Sequence, residues 1–177
     1  MQALFKRIAQ VAAGDSPALI TGPPGSGKTL TARAIHAHGP RADRSFVATS
    51  LAALAPAARA AELFAVETGL VNRADGGTLF VNDIDAAPAD VQDRIAGMIG
   101  DVGPPSRVRF LAGASRSFET LGLRPSLAGR LRVAIVEVPP LADRVADIEL
   151  LVRSILDHRQ ATTGRPAPPV SAGFLEA

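Results

Sequence analysis

The chain has 177 residues, 47% apolar and 20% charged, a balance that suits a compact domain and excludes a disordered tail or fibrous repeat. It contains no Cys, so a disulfide framework, a Cys-type zinc site and a thiol nucleophile are all excluded; at this length a core needs none of them. Formal charge is only +2 and there is no Trp or Tyr, so the pI near 9.9 reflects arginine rather than a nucleic-acid surface, and few rings are available to stack on bases.

The opening residues lack the basic start, apolar run and cleavage site of a secretory signal, and uncharged stretches such as 45–58 fall short of the roughly 20 residues a membrane span needs. A cytoplasmic protein without membrane contact is expected. Leu4, Phe5, Ile8, Val11 and Ala12 recur at helical spacing, and Gly14 with Asp15-Ser16-Pro17 closes that helix. The apolar run Ala18-Leu19-Ile20-Thr21 reads as a buried parallel strand leading into a Gly-rich loop, and residues 28–38 read as a helix ended by Gly39-Pro40. Further strands are predicted at 46–49, 78–81, 108–112 and 133–138.

Pro88 is placed at the first position of a helix whose apolar face is Val91, Ile95, Met98 and Ile99. Ile148, Leu151, Val152, Ile155 and Leu156 make a late helix, and 163–169 reads as a linker. There is no internal repeat. Strands alternating with helices predict an α/β fold, a mainly parallel five-stranded sheet flanked by helices.

Gly22-Pro23-Pro24-Gly25-Ser26-Gly27-Lys28-Thr29 fits the phosphate-loop pattern at every defined position, between a predicted strand and a predicted helix. Glycines let successive backbone N–H groups turn inward around phosphate oxygens, and the helix N-terminus adds its dipole. Lys28 is expected to reach the outer phosphates and the Thr29 hydroxyl to ligate Mg²⁺. Such a loop needs an acidic residue at the end of a neighbouring strand, and the candidate is Thr78-Leu79-Phe80-Val81-Asn82-Asp83-Ile84-Asp85.

Asp75-Gly76-Gly77-Thr78-Leu79-Phe80 resembles the segment before the second nucleotide-binding motif in the AAA+ domain of sigma-54-dependent transcriptional activators. Ala32-Arg33-Ala34-Ile35-His36, Phe46-Val47-Ala48, Glu62-Leu63-Phe64, and Pro139-Pro140-Leu141 followed by Arg144, Asp147 and Ile148 agree with it, in order from about 1 to 151. The resemblance implies a P-loop NTPase domain of AAA+ type over 1–140 and a truncated helical lid with a tail over 141–177. It implies binding of ATP with Mg²⁺ through Gly22 to Leu30, metal contact through Thr29, Asn82 and Asp83, and Asp83 as the group facing the attacking water. Leu123-Arg124-Pro125-Ser126-Leu127 and Gly129-Arg130-Leu131 resemble the segment that supplies arginines to a neighbouring subunit's ATP, which makes Arg124 and Arg130 the catalytic candidates in trans.

Four positions depart from the family. Its apolar strand ends in Asp-Glu where this chain has Asn82-Asp83; its sensor Asn and the Asn after its second strand correspond to Ser115 and Ser50. An alternative register makes Asp83 the metal residue and Asp85 the base. The Gly-Ala-Phe-Thr-Gly-Ala loop that contacts sigma-54 has no counterpart in the nine residues from Ala65 to Arg73, and no helix-turn-helix pattern follows. The expectation is therefore a nucleotide-binding AAA+ module with weak or absent hydrolysis, a regulatory role, association with itself or with complete relatives, and no specific DNA binding of its own. Two alternatives stand beside it: an active ATPase using Asp83 and Asp85, and an interaction protein with a vestigial phosphate loop. A small-molecule kinase lacks an acceptor-binding segment. His36 and His38 read as ordinary helix residues rather than metal ligands, and Arg41, Arg44, Arg107 and Arg109 as a solvated surface.

Overall fold

The computed structural model describes residues 2–100 and 107–144, together with positions 147, 152, 153, 156, 157, 159, 160 and 162–164. The chain divides into two compact units, Met1–Val138 and Pro139–Ala177. In the first unit the order is α1 (Gln2–Ala12), β1 (Ala18–Thr21), α2 (Lys28–Ala37), β2 (Phe46–Ser50), α3 (Arg59–Phe64), α4 (Leu70–Arg73), β3 (Thr78–Asn82), α5 (Ala89–Gly100), β4 (Arg109–Ala114), α6 (Pro125–Leu131) and β5 (Ile135–Glu137). The strands form one sheet in the order β2-β3-β4-β1-β5, and every pairing is parallel.

Parallel strands need crossover helices, and these cover both faces, so the strands are apolar without alternation. Side chains still alternate between the two layers. Ala18, Ile20, Phe80, Leu111 and Val136 pack with Val11 of α1 and Ala32 and Ile35 of α2. Leu19, Leu79, Val81, Phe110 and Ala112 pack on the other face with Leu63, Val91, Ile95, Leu127 and Leu131 from α3, α5 and α6. Because all five strands run the same way, the loops leaving β1, β3 and β4 emerge at one edge of the sheet. That edge holds the candidate site.

Several sequence expectations need correction. Phe5 is 60% exposed rather than part of the buried face of α1. Pro88 stands one residue before α5, where its carbonyl accepts from Gln92 N at 3.0 Å, so it precedes the helix rather than opening it. The fourth strand begins at Arg109, not Val108, and extends to Ala114. The fifth covers only Ile135–Glu137.

The largest correction concerns Arg41 and Arg109, which are buried, not solvated. Arg41 pairs with Asp15 at 2.5 Å and donates to the carbonyls of Gly77 and Arg107 at 3.1 and 3.2 Å. Arg109 Nη2 donates to Val11 O at 2.5 Å. Burial holds the Arg109 guanidinium below its usual range, with Asp15 opposing and Arg41 reinforcing that shift. Together they tie α1, the turns after α1 and α2, and the starts of β3 and β4 at the edge opposite the phosphate loop. Arg107 and Arg44 do remain exposed, beside Asp75 at 2.9 Å and Asp43 at 3.7 Å.

His36 is buried, with Nδ1 2.9 Å from Thr78 Oγ1 and its ring against Phe46. Burial pushes the imidazole below its ordinary pKa, which keeps it neutral beside Arg109 and Arg33. His38 is exposed and meets the Ala34 carbonyl at 2.9 Å. Among the described residues no group of three or more His, Asp or Glu side chains could hold a metal, and no helix is long and apolar enough to cross a membrane.

In the second unit, Leu141–Arg144 is a 3-10 turn in which Asp143 N donates to Pro140 O at 3.1 Å. Val152 and Leu156 of the expected late helix are helical, and so is Thr163, which was expected to open the linker. Ile148, Leu151, Ile155 and 165–169 lie outside the described residues.

Candidate functional site

The predicted phosphate loop joins β1 to α2, as the strand–loop–helix spacing requires. Gly25 and Gly27 have φ of 77° and 95°, and a Cβ at either would meet open space. Left-handed backbone there is glycine's domain, and it lets successive N–H groups turn toward one point, the arrangement that suits a phosphate. Gly27 caps α2 without any side-chain bond, so the N–H groups of the first turn face the loop unclaimed by a capping side chain.

Lys28 is almost wholly buried. Its Nζ donates to the carbonyls of Gly22 and Pro23 at 2.8 and 3.1 Å and to Ser115 Oγ at 3.4 Å. Burial pushes its pKa down, while the charges of Asp83 and Asp85 push it back up. Thr29 is exposed, as are Pro24 and Leu30, the latter at 59%. Ser26 is buried under the loop.

At the end of β3, Ser50 pairs in register with Asn82, and the chain leaves the sheet at Asp83 with φ 55° and ψ 48°. Non-glycine residues adopt this left-handed conformation rarely, Asp and Asn most readily. The turn sets the carboxylate beside the ends of two strands: Asp83 Oδ2 accepts from Ser50 Oγ at 2.5 Å and from Asn82 Nδ2 at 3.1 Å. Asn82 Oδ1 is buried without a hydrogen-bond partner and lies against Gly113 of β4. A Cβ at position 113 would collide with that oxygen and stand 2.9 Å from Phe80 Cζ, so glycine is required for the close approach.

This register places Asn82 at the strand end and Asp83 just beyond it, with Asp85 in the following 3-10 turn. Asp85 Oδ2 is bound by Arg116 Nη2 at 3.0 Å. The side chains that the sequence assigns to a metal, Thr29, Asn82 and Asp83, all offer oxygen; a hydrogen bond joins Asn82 to Asp83, and among the described residues none joins Thr29 to either. That set fits Mg²⁺ held jointly with phosphates, and the partnerless Asn82 oxygen is one ligand the chain has to offer.

The candidate arginines lie on and before α6. Arg124 Nε donates to Asp93 Oδ1 at 2.8 Å, and Ser126 Oγ donates to the same oxygen at 3.0 Å. The Arg124 hydrogen bond holds the Asp93 carboxyl below its ordinary pKa. Arg130 is exposed in the last turn of α6. Among the described residues, no hydrogen bond or ion pair joins either to the phosphate loop.

Three side chains went unassigned at the sequence level. Gln92 is buried and double-ended: Nε2 donates to Ala87 O at 2.9 Å and Oε1 accepts from Arg124 N at 2.8 Å, fixing the start of α6. Arg59 spans the loops after β2 and β3, with bonds to the carbonyls of Leu51 and Ala86 at 2.9 and 2.6 Å. Arg116 forms the pair with Asp85. A lone polar residue in an apolar helix face is the only sequence signal for Gln92, and the arginines had none.

Of the nine residues from Ala65 to Arg73, the five between α3 and α4, 65–69, form a closed turn and the last four are α4 itself. Asn72 Nδ2 donates to the Ala65 carbonyl at 3.1 Å and to that of Val66, and Gly69 N donates to Ala65 O at 3.0 Å. Val66 protrudes from it, 89% exposed.

The sequence profile of the Sigma-54 interaction domain matches residues 1–102. The chain belongs to the sigma-54 interaction domain family. It is 36% identical over 185 residues to the nitrogen assimilation regulatory protein NtrX of Azorhizobium caulinodans, spanning 93% of this chain and 41% of that protein. It is 35% identical over 180 residues to the DNA-binding transcriptional regulator NtrC of Escherichia coli, with 88% and 38% covered. The crystal structure of Brucella abortus NtrX in complex with ATP superposes with a TM-score of 0.81 at 31% identity, over 99% of this chain and 45% of that one. The same protein in complex with ADP gives 0.80 at 30%, covering 99% and 44%. The chain thus spans about two fifths of the length of these curated relatives. The fold is that of an AAA+ P-loop NTPase, as the sheet order and the family both require.

Proposed function

We propose that this sigma-54 interaction domain is a nucleotide-gated AAA+ module that binds ATP or ADP with Mg²⁺ through Gly22 to Leu30 and turns ATP over at close to background rate. The observation that carries the reading is the contrast between an intact phosphate loop with Lys28 inside it and a strand end where the family's two carboxylates are reduced to one, Asp83, tied to Ser50 and Asn82. Binding relies on backbone N–H groups and Lys28. Hydrolysis relies on closely placed charge that strengthens in the transition state, and there the chain is short. Mg²⁺, when bound, would offset the charge of the phosphates. Thr29 and Asn82 would hold it with oxygens but without their own charge, and Asp83 is one methylene shorter than the family's Glu and is tied through Oδ2 to Ser50 and Asn82, which holds it back from the attacking water.

Complete relatives offer the binding precedent, since NtrX of Brucella abortus crystallises with ATP and with ADP. In this reading the domain regulates by associating with itself or with complete AAA+ relatives, and it offers a neighbour Arg130, exposed in the last turn of α6, and Arg124, whose pair with Asp93 is open to water. The closed turn at 65–69 carries no counterpart of the family's sigma-54-contacting loop, so the domain does not remodel sigma-54 polymerase alone. The Asp83/Asp85 motor is disfavoured because β3 ends at Asn82, which leaves Asp83 just beyond the strand and Asp85 out in the following 3-10 turn.

The double change Asn82→Asp with Asp83→Glu tests the proposal. Turnover is expected to rise at least about tenfold, equivalent to about 1.4 kcal/mol of barrier, with nucleotide affinity measured alongside. Robust Mg²⁺-dependent hydrolysis by the unmodified chain, lost on Asp83→Ala, would overturn it in favour of an active motor.

A further inference from the structure

Arg116 leaves β4 one residue after Ser115, whose Oγ is 3.4 Å from Lys28 Nζ. Its guanidinium Nη2 binds Asp85 Oδ2 at 3.0 Å, joining the loop after β4 to the turn after β3. Both loops border the phosphate loop: one supplies Ser115 to Lys28, and the other carries the two carboxylates whose charge Lys28 feels. The pair therefore stands at the rim of the place where the outermost phosphate of a bound nucleotide would lie. It is also weakly committed. The Arg116 side chain is 56% exposed, and an ion pair so open to water contributes little.

A terminal phosphate changes the local charge balance. It brings additional negative charge beside Asp83 and Asp85, in a corner where Asn82 is neutral and Lys28 is the buried cation. A guanidinium fork matches phosphate oxygens at least as well as a single carboxylate oxygen, and the more highly charged partner wins it. A diphosphate, ending one group earlier, leaves the pair with Asp85 undisturbed.

Resting on the reading that Gly22 to Leu30 bind nucleotide, we propose that Arg116 is a specificity-determining residue that exchanges Asp85 for the terminal phosphate of a nucleoside triphosphate, so that this chain distinguishes triphosphate from diphosphate in cis. Asp85 is then the competitor that holds Arg116 in reserve. The two members of the pair consequently have opposite effects on triphosphate binding, and the effect of Arg116 falls on the terminal phosphate, whereas a pair that merely stapled two loops would move triphosphate and diphosphate alike.

The test titrates a non-hydrolysable ATP analogue and ADP, each with Mg²⁺, into the full chain and into Arg116→Ala, Arg116→Gln and Asp85→Asn, with thermal melts to establish that each is folded. Both Arg116 variants are expected to weaken the triphosphate analogue at least about fivefold while moving ADP less than about twofold, and Asp85→Asn to tighten the triphosphate analogue. Equal losses for both nucleotides, no change at Arg116, or weaker triphosphate binding in Asp85→Asn would each overturn the inference and leave the nucleotide-binding reading standing. Failure of the unmodified chain to bind either nucleotide would overturn both.

Discussion

Lys28 shows how one residue serves two states of the loop. Without phosphates its ammonium is nearly buried and is satisfied by the Gly22 and Pro23 carbonyls and Ser115. Those bonds pre-position the charge at the mouth of the loop, so binding need not order a free side chain. Each charge-assisted hydrogen bond it would make to phosphate is worth about 1.5–3 kcal/mol. Lys28→Ala is therefore expected to weaken nucleotide affinity by roughly ten- to a hundredfold. Superimposable titration curves of a fluorescent ATP analogue for the two proteins would contradict that. At Asn82 the consequence of a single atom is larger than its size suggests. An amide nitrogen in place of a carboxylate oxygen turns a repulsive neighbour of Asp83 into a hydrogen-bond donor, and this makes the acidic corner stable without a metal.

Elements carry the opposite edge of the sheet, where charge is used for structure. Asp15 closes α1's turn and is the carboxylate that pairs with Arg41, with Arg109 buried nearby. Removing it takes away the carboxylate that offsets two neighbouring buried guanidinium groups. Breaking a buried pair costs about 3–5 kcal/mol, and partial exposure of Asp15 puts the change toward the lower end. Asp15→Ala should thus lower the urea midpoint with little change in slope, while leaving the phosphate loop's geometry intact. An unchanged midpoint would mean that the cluster is solvated in solution. The turn between α3 and α4 is the other place where an element decides function. Bonds from Asn72 and Gly69 close it on the Ala65 carbonyl, so the five residues between the helices make a tight turn and not an extended loop.

At the scale of the molecule, ligand and fold share one free energy, because the phosphate loop lies between β1, a strand paired on both sides, and α2, and exists only when the sheet has formed. A nucleotide at a hundredfold excess over its Kd should add about 2.7 kcal/mol to stability. For a domain of this length that is a rise in Tm of about 5–10 °C. The rise should require the loop and be largely lost in Lys28→Ala at the same concentration. A Tm that ignores both ATP and ADP would remove the basis for nucleotide gating.

What the sequence determined by itself was local and periodic. The first strand was read with the bounds the structure has, the phosphate loop and the helix behind it follow from glycines and spacing, and Thr78 to Asp83 could be aligned with a family because contiguous residues carry that signal. The tertiary structure alone decided which polar groups meet. Asp15 finds Arg41 across 26 positions, Arg116 finds Asp85 across 31, and Ser50 finds Asp83 across 33. The order β2-β3-β4-β1-β5 sets these encounters, because it lays strands distant in sequence side by side. An arginine at a strand's first residue looks solvated in one dimension. It becomes Arg109 in the interior only once α1 folds over the end of the strand and offers the Val11 carbonyl to its guanidinium.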